Sequence, residues 1–492
     1  MDDQLLWIAA EDCPVGDFEK FHVFLQHEER VIKALSTHGP VLIKGGRGSG
    51  KSALMIEASR RLQQTESNTI GVYLSLRYLP LLKSSGLEYE KLLCELLTRE
   101  IHRTLPIYDI PQSLFPTITE VTSLQHELRT LSDRTGKRLI LMFDDIAHIG
   151  REASLEEFFG IFRTISNNVV SCKASIYPGV TRFGIRFDVY NDATVFDLSR
   201  DERTPGYSEF FERVLHARFP ELHALYSKSK GRSLGAVETA SFIGRTVVGN
   251  MRGFVIACGK LEAYSGSGLP VLESVLKAMA SDYYWPLLEE LEPKLGIYQP
   301  LVETARQLAD LLFRHAAVQN RANSIIVHRD IVQKLSKTFE ILEYAGFISK
   351  REASRAMRSG GRGPRFSLNL ANLLEFVQPS RLTRELFNEW QTHNPDQLSD
   401  IHISSGLIDF EQPEPLIDAE LKILSLPIDT LQKSNVYPYG LTEAKTIQLK
   451  KSGFQTIGQL AAASDSDLKA VDSIGDSWLE RIRSVVGQAI WM

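Results

Sequence analysis

The sequence has no paired cysteines, no long apolar run and no excess of either charge, and each lack narrows what the chain can be. Cys13, Cys94, Cys172 and Cys258 lie far apart with no C-x-x-C pair. That spacing argues against a disulfide scaffold or a structural zinc site and for a reducing compartment. No segment approaches ~18 consecutive apolar residues, so no membrane-spanning helix is expected. The start, Met1-Asp-Asp-Gln-Leu-Leu-Trp7, carries neither a basic stretch nor a long apolar one, so a cytoplasmic protein without membrane contact is expected. Lys and Arg number 56 against 61 Asp and Glu, a net charge of -5, so any surface for nucleic acid has to be local. At 492 residues the chain exceeds what one core serves, and about three or four domains are expected.

What is present is organised around one stretch. The apolar run Val41-Leu-Ile-Lys44 enters Gly45-Gly-Arg-Gly-Ser-Gly50-Lys51-Ser52 and leaves into a helix-forming segment, 51–64. Strand, glycine loop and helix together are the context in which a G-x-x-x-x-G-K-[ST] match has physical meaning. The backbone N–H groups of Gly45, Gly46, Arg47, Gly48, Ser49 and Gly50 turn inward around phosphate oxygens, and the helix that follows adds its positive end. Lys51 is expected to reach the β- and γ-phosphates of a nucleotide, and Ser52 to ligate Mg²⁺. Upstream, Phe18, Phe21, Phe24 and Leu25 precede an amphipathic pattern over 27–35, a lead-in expected to pack over the base.

Arg138-Leu-Ile-Leu-Met-Phe-Asp144-Asp145 is an apolar strand closed by two acids. Beside a phosphate loop, Asp144 is placed to hold Mg²⁺ through water and Asp145 to orient an attacking water. Asp145 is one methylene shorter than a glutamate, and both a slow switch and a fast motor stay open. Strand patterns at 69–76, 169–177 and 193–199 alternate with helical ones at 87–104, 117–134 and 154–166. Such alternation makes a parallel sheet covered on both faces, with ligands at the strands' carboxyl ends. The fourth strand breaks at Pro178-Gly179, which makes Thr181 a candidate sensor of the γ-phosphate. Arg182 and Arg186, just beyond, are candidates to reach a neighbouring subunit's site. From Tyr207 the pattern is helical, and Gly249-Asn250-Met251-Arg252 sets an arginine at a helix start.

Residues 15–260 resemble AAA+ ATPases of the origin-recognition-complex and cell-division-cycle initiator type, through the loop 45–52, the strand ending in Asp144-Asp145, the Thr181 strand end and Gly249-Asn250-Met251-Arg252. The resemblance implies ATP hydrolysis and gives Arg252 the task of a lid arginine touching the γ-phosphate. The second aspartate and the short segment after Thr181 depart from the initiator pattern, and the Asp-Asp pair is also similar to STAND NTPases.

A helix at 300–316, a short strand at 324–328, a helical stretch at 329–345 and a hairpin tipped by Ser359-Gly-Gly-Arg-Gly-Pro364 resemble a winged helix. The hairpin carries Lys350, Arg351, Arg355, Arg358, Arg362 and Arg365 against Glu352, a cluster suited to DNA phosphate contact. Residues 425–488 resemble the helix-hairpin-helix module at the C-terminus of the RNA polymerase alpha subunit, with Ser473-Ile474-Gly475 as the turn that would present N–H groups to a phosphate. Six Lys/Arg and six Asp/Glu over 436–492 leave protein docking as open as DNA binding.

The expected architecture is multidomain α/β. A P-loop NTPase core (1–206) is followed by a helical lid (207–298), a winged helix (299–378), a linker (379–424) and a helix-hairpin-helix domain (425–492). The expected function is an ATP-dependent, DNA-binding switch with self-association or protein partners. The alternative is a STAND-like regulatory NTPase controlling an effector nuclease or transposase in a defence or mobile-element system.

Overall fold

A computed structural model describes the chain except residues 1–8, 15, 65–67, 147–154, 181–182, 185, 229–233, 265, 320, 393–397, 417–420, 435–436, 438–439 and 492. Five strands, β1 (Val41–Lys44), β2 (Thr69–Ser75), β3 (Arg138–Asp144), β4 (Val170–Ile176) and β5 (Thr194–Asp197), form a sheet in the order β2-β3-β4-β1-β5. Every pairing is parallel.

The two-residue period of a strand divides its side chains between two apolar layers. Leu42, Leu139, Leu141 and Phe143 face the cluster that also holds Leu93, Leu128 and Phe162, from the helices Gly86–Thr104, Val121–Thr135 and Leu155–Ile165. Val41, Ile43, Ile140 and Met142 face the other, with Val31, Leu35, Leu54 and Ala58 from the helices Gln26–Leu35 and Lys51–Gln64. Both layers stop at the carboxyl ends of β1 and β3, where the loop and the two acids emerge side by side across β4.

Among the described residues the elements between Tyr207 and Leu291 are all helices, and the helix Leu301–Val318 leads into a second sheet of order β7-β8-β6-β9. Its strands are β6 (Ser324–Val327), β7 (Ile348–Ala356), β8 (Arg362–Leu368) and β9 (Ser399–Ile401). β7, β8 and β6 are antiparallel neighbours, and β9 runs parallel to β6. One continuous apolar cluster reaches from Tyr207 to Ile401.

The expectation of a linker over 379–424 needs correction. The helix Arg384–Gln391 buries Leu386, Phe387 and Trp390, and β9 completes the second sheet. Beyond it, 407–416 has no regular structure. The helices Glu443–Lys451, Ile457–Ala462, Asp465–Lys469 and Asp476–Trp491 then gather around a separate cluster.

Candidate functional site

The loop leaving β1 is a cradle built by glycine. Gly48 has φ +76°, and a Cβ there would stand 2.6 Å from the Arg252 Cβ and 2.7 Å from the Asn250 Oδ1. Only a residue without a side chain allows the helix Met251–Glu262 to sit this close. Its first N–H groups, those of Met251 and Arg252, donate to the Gly48 carbonyl at 3.0 and 3.3 Å. The Asn250 amide fastens the junction from both ends: its Oδ1 accepts from the Gly253 N–H at 2.9 Å and its Nδ2 donates to the Arg47 carbonyl.

Lys51 is folded onto the loop itself. Its Nζ donates to the carbonyls of Gly45 (2.8 Å) and Gly46 (3.0 Å) and lies 4.3 Å from the centre of the Tyr177 ring. Burial lowers its pKa to about 8, a fall that Asp145 and Asp144 partly offset.

Asp144 is fully buried at the end of β3. It accepts from the Tyr73 hydroxyl at 3.0 Å, the Ser175 hydroxyl at 2.5 Å and the Asp145 N–H at 3.0 Å. Burial and then the neighbouring Asp145 push its pKa up, while hydrogen bonds from Ser175 and Ser52 oppose the rise. The Ser52–Asp144 contact joins the two side chains expected at Mg²⁺. A hydroxyl and a carboxylate at the foot of a phosphate loop are the hard oxygen donors that ion takes.

Asp145 adopts φ +52°, which turns its side chain back across the strand ends. There its Oδ2 lies 2.7 Å from the Arg77 Nε and its Oδ1 accepts from the Tyr177 hydroxyl at 3.2 Å. Arg77 also stands 3.4 Å from Glu11, and the carboxylates of Glu11, Asp144 and Asp145 offer oxygens within 4.8 Å of one another.

The cleft above these groups is lined by Lys51, Arg47, Arg77, Arg200, Arg218 and Arg252 against Glu11, Glu28 and Asp145. Arg47 is 8% exposed, and among the described residues its Nε and Nη1 find no hydrogen-bond partner. A buried guanidinium left short of acceptors is costly, and phosphate oxygens are the acceptors a P-loop brings to it. The residues therefore fit a magnesium-bound triphosphate. Phe21, His22, Val23 and Phe24 line another part of the same cleft. Burial and the charge of Arg218 lower the His22 pKa to about 4, so His22 is neutral near pH 7.

Arg77 and Arg200 were not singled out from the sequence. Arg77 follows β2, whose Ser75 is paired with Asp144, so the sheet order carries it to the acids. Arg200 follows β5. It donates to the Ser49 carbonyl at 3.0 Å and to Glu28 at 3.2 Å, and lies 4.5 Å from the centre of the Phe210 ring. Each is an arginine two or three residues past a strand end, a signal visible in the sequence but uninterpretable without strand order. Thr181 and Arg182 lie outside the described residues. Arg186 is exposed and does not line the cleft.

The hairpin cations divide. Arg351 has 0% side-chain exposure, lies 2.8 Å from Glu202 and donates to the Val248 carbonyl at 3.1 Å. Arg365 is 2% exposed, 3.4 Å from Glu352, and donates to Ser324 at 2.9 Å. The expectation that these two contact DNA is corrected: each is buried in contacts with acids and polar groups inside the protein. Arg355 is half-buried and 3.3 Å from Glu352. Lys350, Arg358 and Arg362 remain exposed. At the C-terminal turn, Ser473 takes φ +59°, the left-handed conformation that glycine adopts more easily. Ser473 and Gly475 are exposed while Ile474 is buried.

A parallel sheet ordered β2-β3-β4-β1-β5, with a glycine loop on β1 and an acid pair on β3, defines a P-loop core of the AAA+ type within a multidomain α/β protein. Similar solved structures include the Aeropyrum pernix ORC1 protein in complex with DNA, at 14% identity over 80% of this chain and 97% of that one, TM-score 0.33. Domain III of the Thermotoga maritima replication initiation protein DnaA shares 16% identity over 55% of this chain and 96% of its own, TM-score 0.29. A Pyrococcus horikoshii STAND protein with a tetratricopeptide repeat sensor shares 12% over 76% of this chain and 46% of its own, TM-score 0.30. No family model and no curated protein sequence matches the chain. Strand order and loop geometry, not these likenesses, define the P-loop core.

Proposed function

We propose that the chain is a switch that binds ATP with Mg²⁺ in the loop 45–52, hydrolyses it slowly, and couples nucleotide state to engagement of DNA. The observation that carries the proposal is the convergence of Lys51, the Ser52–Asp144 pair and the under-partnered Arg47 on one cleft whose wall is the helix start at Arg252. Ser52 and Asp144 would hold Mg²⁺, which neutralises charge on the phosphate oxygens. Lys51 exchanges two loop carbonyls for phosphate oxygens. Arg252, at the first turn of a helix fastened to Gly48, transmits the presence of the last phosphate to the helical segment behind it. Asp145 orients a water only after Arg77 leaves it, and that extra step is the physical reason for slow turnover.

The exposed cations Lys350, Arg358 and Arg362, together with the turn 473–475, support DNA phosphate contact in the winged-helix and helix-hairpin-helix readings of those segments. A second reading, a STAND-like NTPase that regulates an effector nuclease or transposase by protein contact, is favoured by one observation. The helix Ser336–Ala345 lies on the phosphate loop, its Glu343 carbonyl 3.2 Å from where a Gly46 Cβ would be. Tyr344 meets Tyr177 edge-on at 5.1 Å. ATP turnover with and without duplex DNA, on the native chain and Lys51→Ala, separates the readings. DNA stimulation lost with Lys51 supports the first, and turnover indifferent to DNA supports the second.

A further inference from the structure

The C-terminal helical segment is packed onto the nucleotide cleft. Its apolar cluster, built on Ile428, Leu449, Leu460, Ile482 and Ile490, also takes in Leu79 and Leu82, from the short helix Leu79–Lys83 that follows Arg77. The Ser484 hydroxyl donates to Asp12 at 3.1 Å, and Asp12 adjoins Glu11, the acid 3.4 Å from Arg77. Trp491, at the end of the helix Asp476–Trp491, lines the cleft together with Lys51, Arg77 and Asp145. On its other side the segment is held by Tyr437, whose hydroxyl donates to Glu290 at 2.9 Å.

With these walls in place the cleft, partly open to solvent, holds about 120 Å³, less than the roughly 300 Å³ at which pockets for small ligands begin. A nucleoside triphosphate seated on the loop gains room when a wall moves. Most of the others belong to continuous cores: the sheet strands and their helices to two apolar layers, and the helical segment to a cluster running from Tyr207 to Ile401. The C-terminal segment has a core of its own that borrows Leu79 and Leu82 from the rest of the chain. Among the described residues it and the N-terminal stretch, whose own cluster is only Cys13, Phe18 and Ala53, are the walls that stand outside the large cores. Of the two, it is the C-terminal segment that carries a complete core with it when it lifts.

We propose that the C-terminal segment is a latch on the nucleotide cleft: docked on Leu79 and Leu82 it holds Trp491 across the cleft, so nucleoside triphosphate and docked latch exclude one another. The proposal rests on the reading that this cleft takes a triphosphate. By linkage the exclusion is reciprocal: whatever draws the segment away raises nucleotide affinity, and nucleotide releases the segment by the same factor.

The test uses the full chain with Asp12→Cys and Ser484→Cys, the four native cysteines being buried. Mg–ATP binding is measured by calorimetry in the oxidised and reduced forms. A second variant, Leu79→Ser with Leu82→Ser, weakens docking without a new bond. The latch requires the oxidised form to bind at least about tenfold more weakly than the reduced one, and the leucine variant at least about fivefold more tightly than the native chain. Saturating Mg–ATP also slows formation of the 12–484 disulfide. Equal affinity in oxidised, reduced and leucine-variant proteins overturns the latch and leaves the nucleotide site standing, as does tighter binding by the oxidised form. Absence of binding in every form overturns the nucleotide reading, and the latch with it.

Discussion

Glu202→Gln tests whether the buried hairpin cations are structural. The Glu202 side chain is 11% exposed and lies 2.8 Å from Arg351, 3.8 Å from Arg365 and 2.7 Å from the Ser367 hydroxyl, which donates to it. Removing one partner of a buried pair leaves the other charge uncompensated and typically costs about 3–5 kcal/mol. With Arg351 at 0% side-chain exposure, water offers no relief, and a loss in that range is expected. Urea unfolding of the full chain followed by tryptophan fluorescence reads it, since Trp285 and Trp390 pack in the same cluster. The double variant Glu202→Met with Arg351→Met is expected to lose less than either single change, because Arg351 is no longer left without its acid while Arg365 keeps Glu352. Acid has the same effect as the Glu202→Gln change. Burial pushes the Glu202 pKa up, but Arg351 and the Ser367 hydroxyl outweigh it and hold the pKa below the ordinary 4.5. The pair's contribution is therefore present above pH 4.5 and lost as pH falls through the lower folded value. A Glu202→Gln protein within about 1 kcal/mol of native, against the 3–5 expected for a broken buried pair, would refute the assignment. So would an Arg351→Met protein that folds normally but binds DNA with a shallower salt dependence.

Three further outcomes are expected. Lys51 has a pKa of about 8 before ligand binds, and a triphosphate raises it, so affinity is full below pH 8 and falls above it. Calorimetry in two buffers of different ionisation heat should show proton uptake on binding that is larger above pH 8 than at pH 7, and Lys51→Ala should lose both the uptake and the binding. Arg358→Ser and Arg362→Ser should each reduce the slope of log affinity for duplex DNA against log salt by about 0.9, a slope indifferent to both changes pointing instead to protein contact. Gly48→Ala places a Cβ 2.6 Å from Arg252 at φ +76°, so a destabilisation of at least about 1–2 kcal/mol and weaker ATP binding are expected in thermal melts with and without nucleotide.

Much of the P-loop core was legible because its evidence is local. An apolar run, a glycine loop and a helix lie within 41–64, and β3 announces itself by ending in two acids. Arg77 and Arg200 were illegible for the converse reason. Their roles follow from which strands are neighbours, β2 beside β3 and β5 beside β1, and no spacing in the chain states that order. Charge counting misjudged Arg351 and Arg365, because the acid between them, Glu202, is 149 residues from Arg351 and 163 from Arg365. Around 379–401 the Pro, Ser and Asp content masked an apolar stripe, Leu386, Phe387 and Trp390, that falls on one face of a helix and is fully packed.

The cleft cations explain why nucleotide would act as a switch and not merely as a ligand. Lys51 rests on the carbonyls of Gly45 and Gly46, Arg77 on Asp145 and Glu11, and Arg200 on Glu28 and the Ser49 carbonyl. These internal partners stand where phosphate would compete with them, and a charge-assisted bond to phosphate is stronger than one to a neutral carbonyl. In the proposed switch each exchange would free a different element. Releasing Arg77 would untie the segment leading to Leu79 and Leu82, releasing Arg200 would loosen its stack on Phe210 in the helix Tyr207–Arg218, and drawing in Arg252 would pull on a helix start already fastened to Gly48. A ligand shifts a conformational equilibrium only by its difference in affinity for the two states. In the proposed switch that difference would be set by the separate internal contacts that phosphate replaces, so replacing Arg77 or Arg200 alone should weaken the conformational response more than it weakens nucleotide affinity.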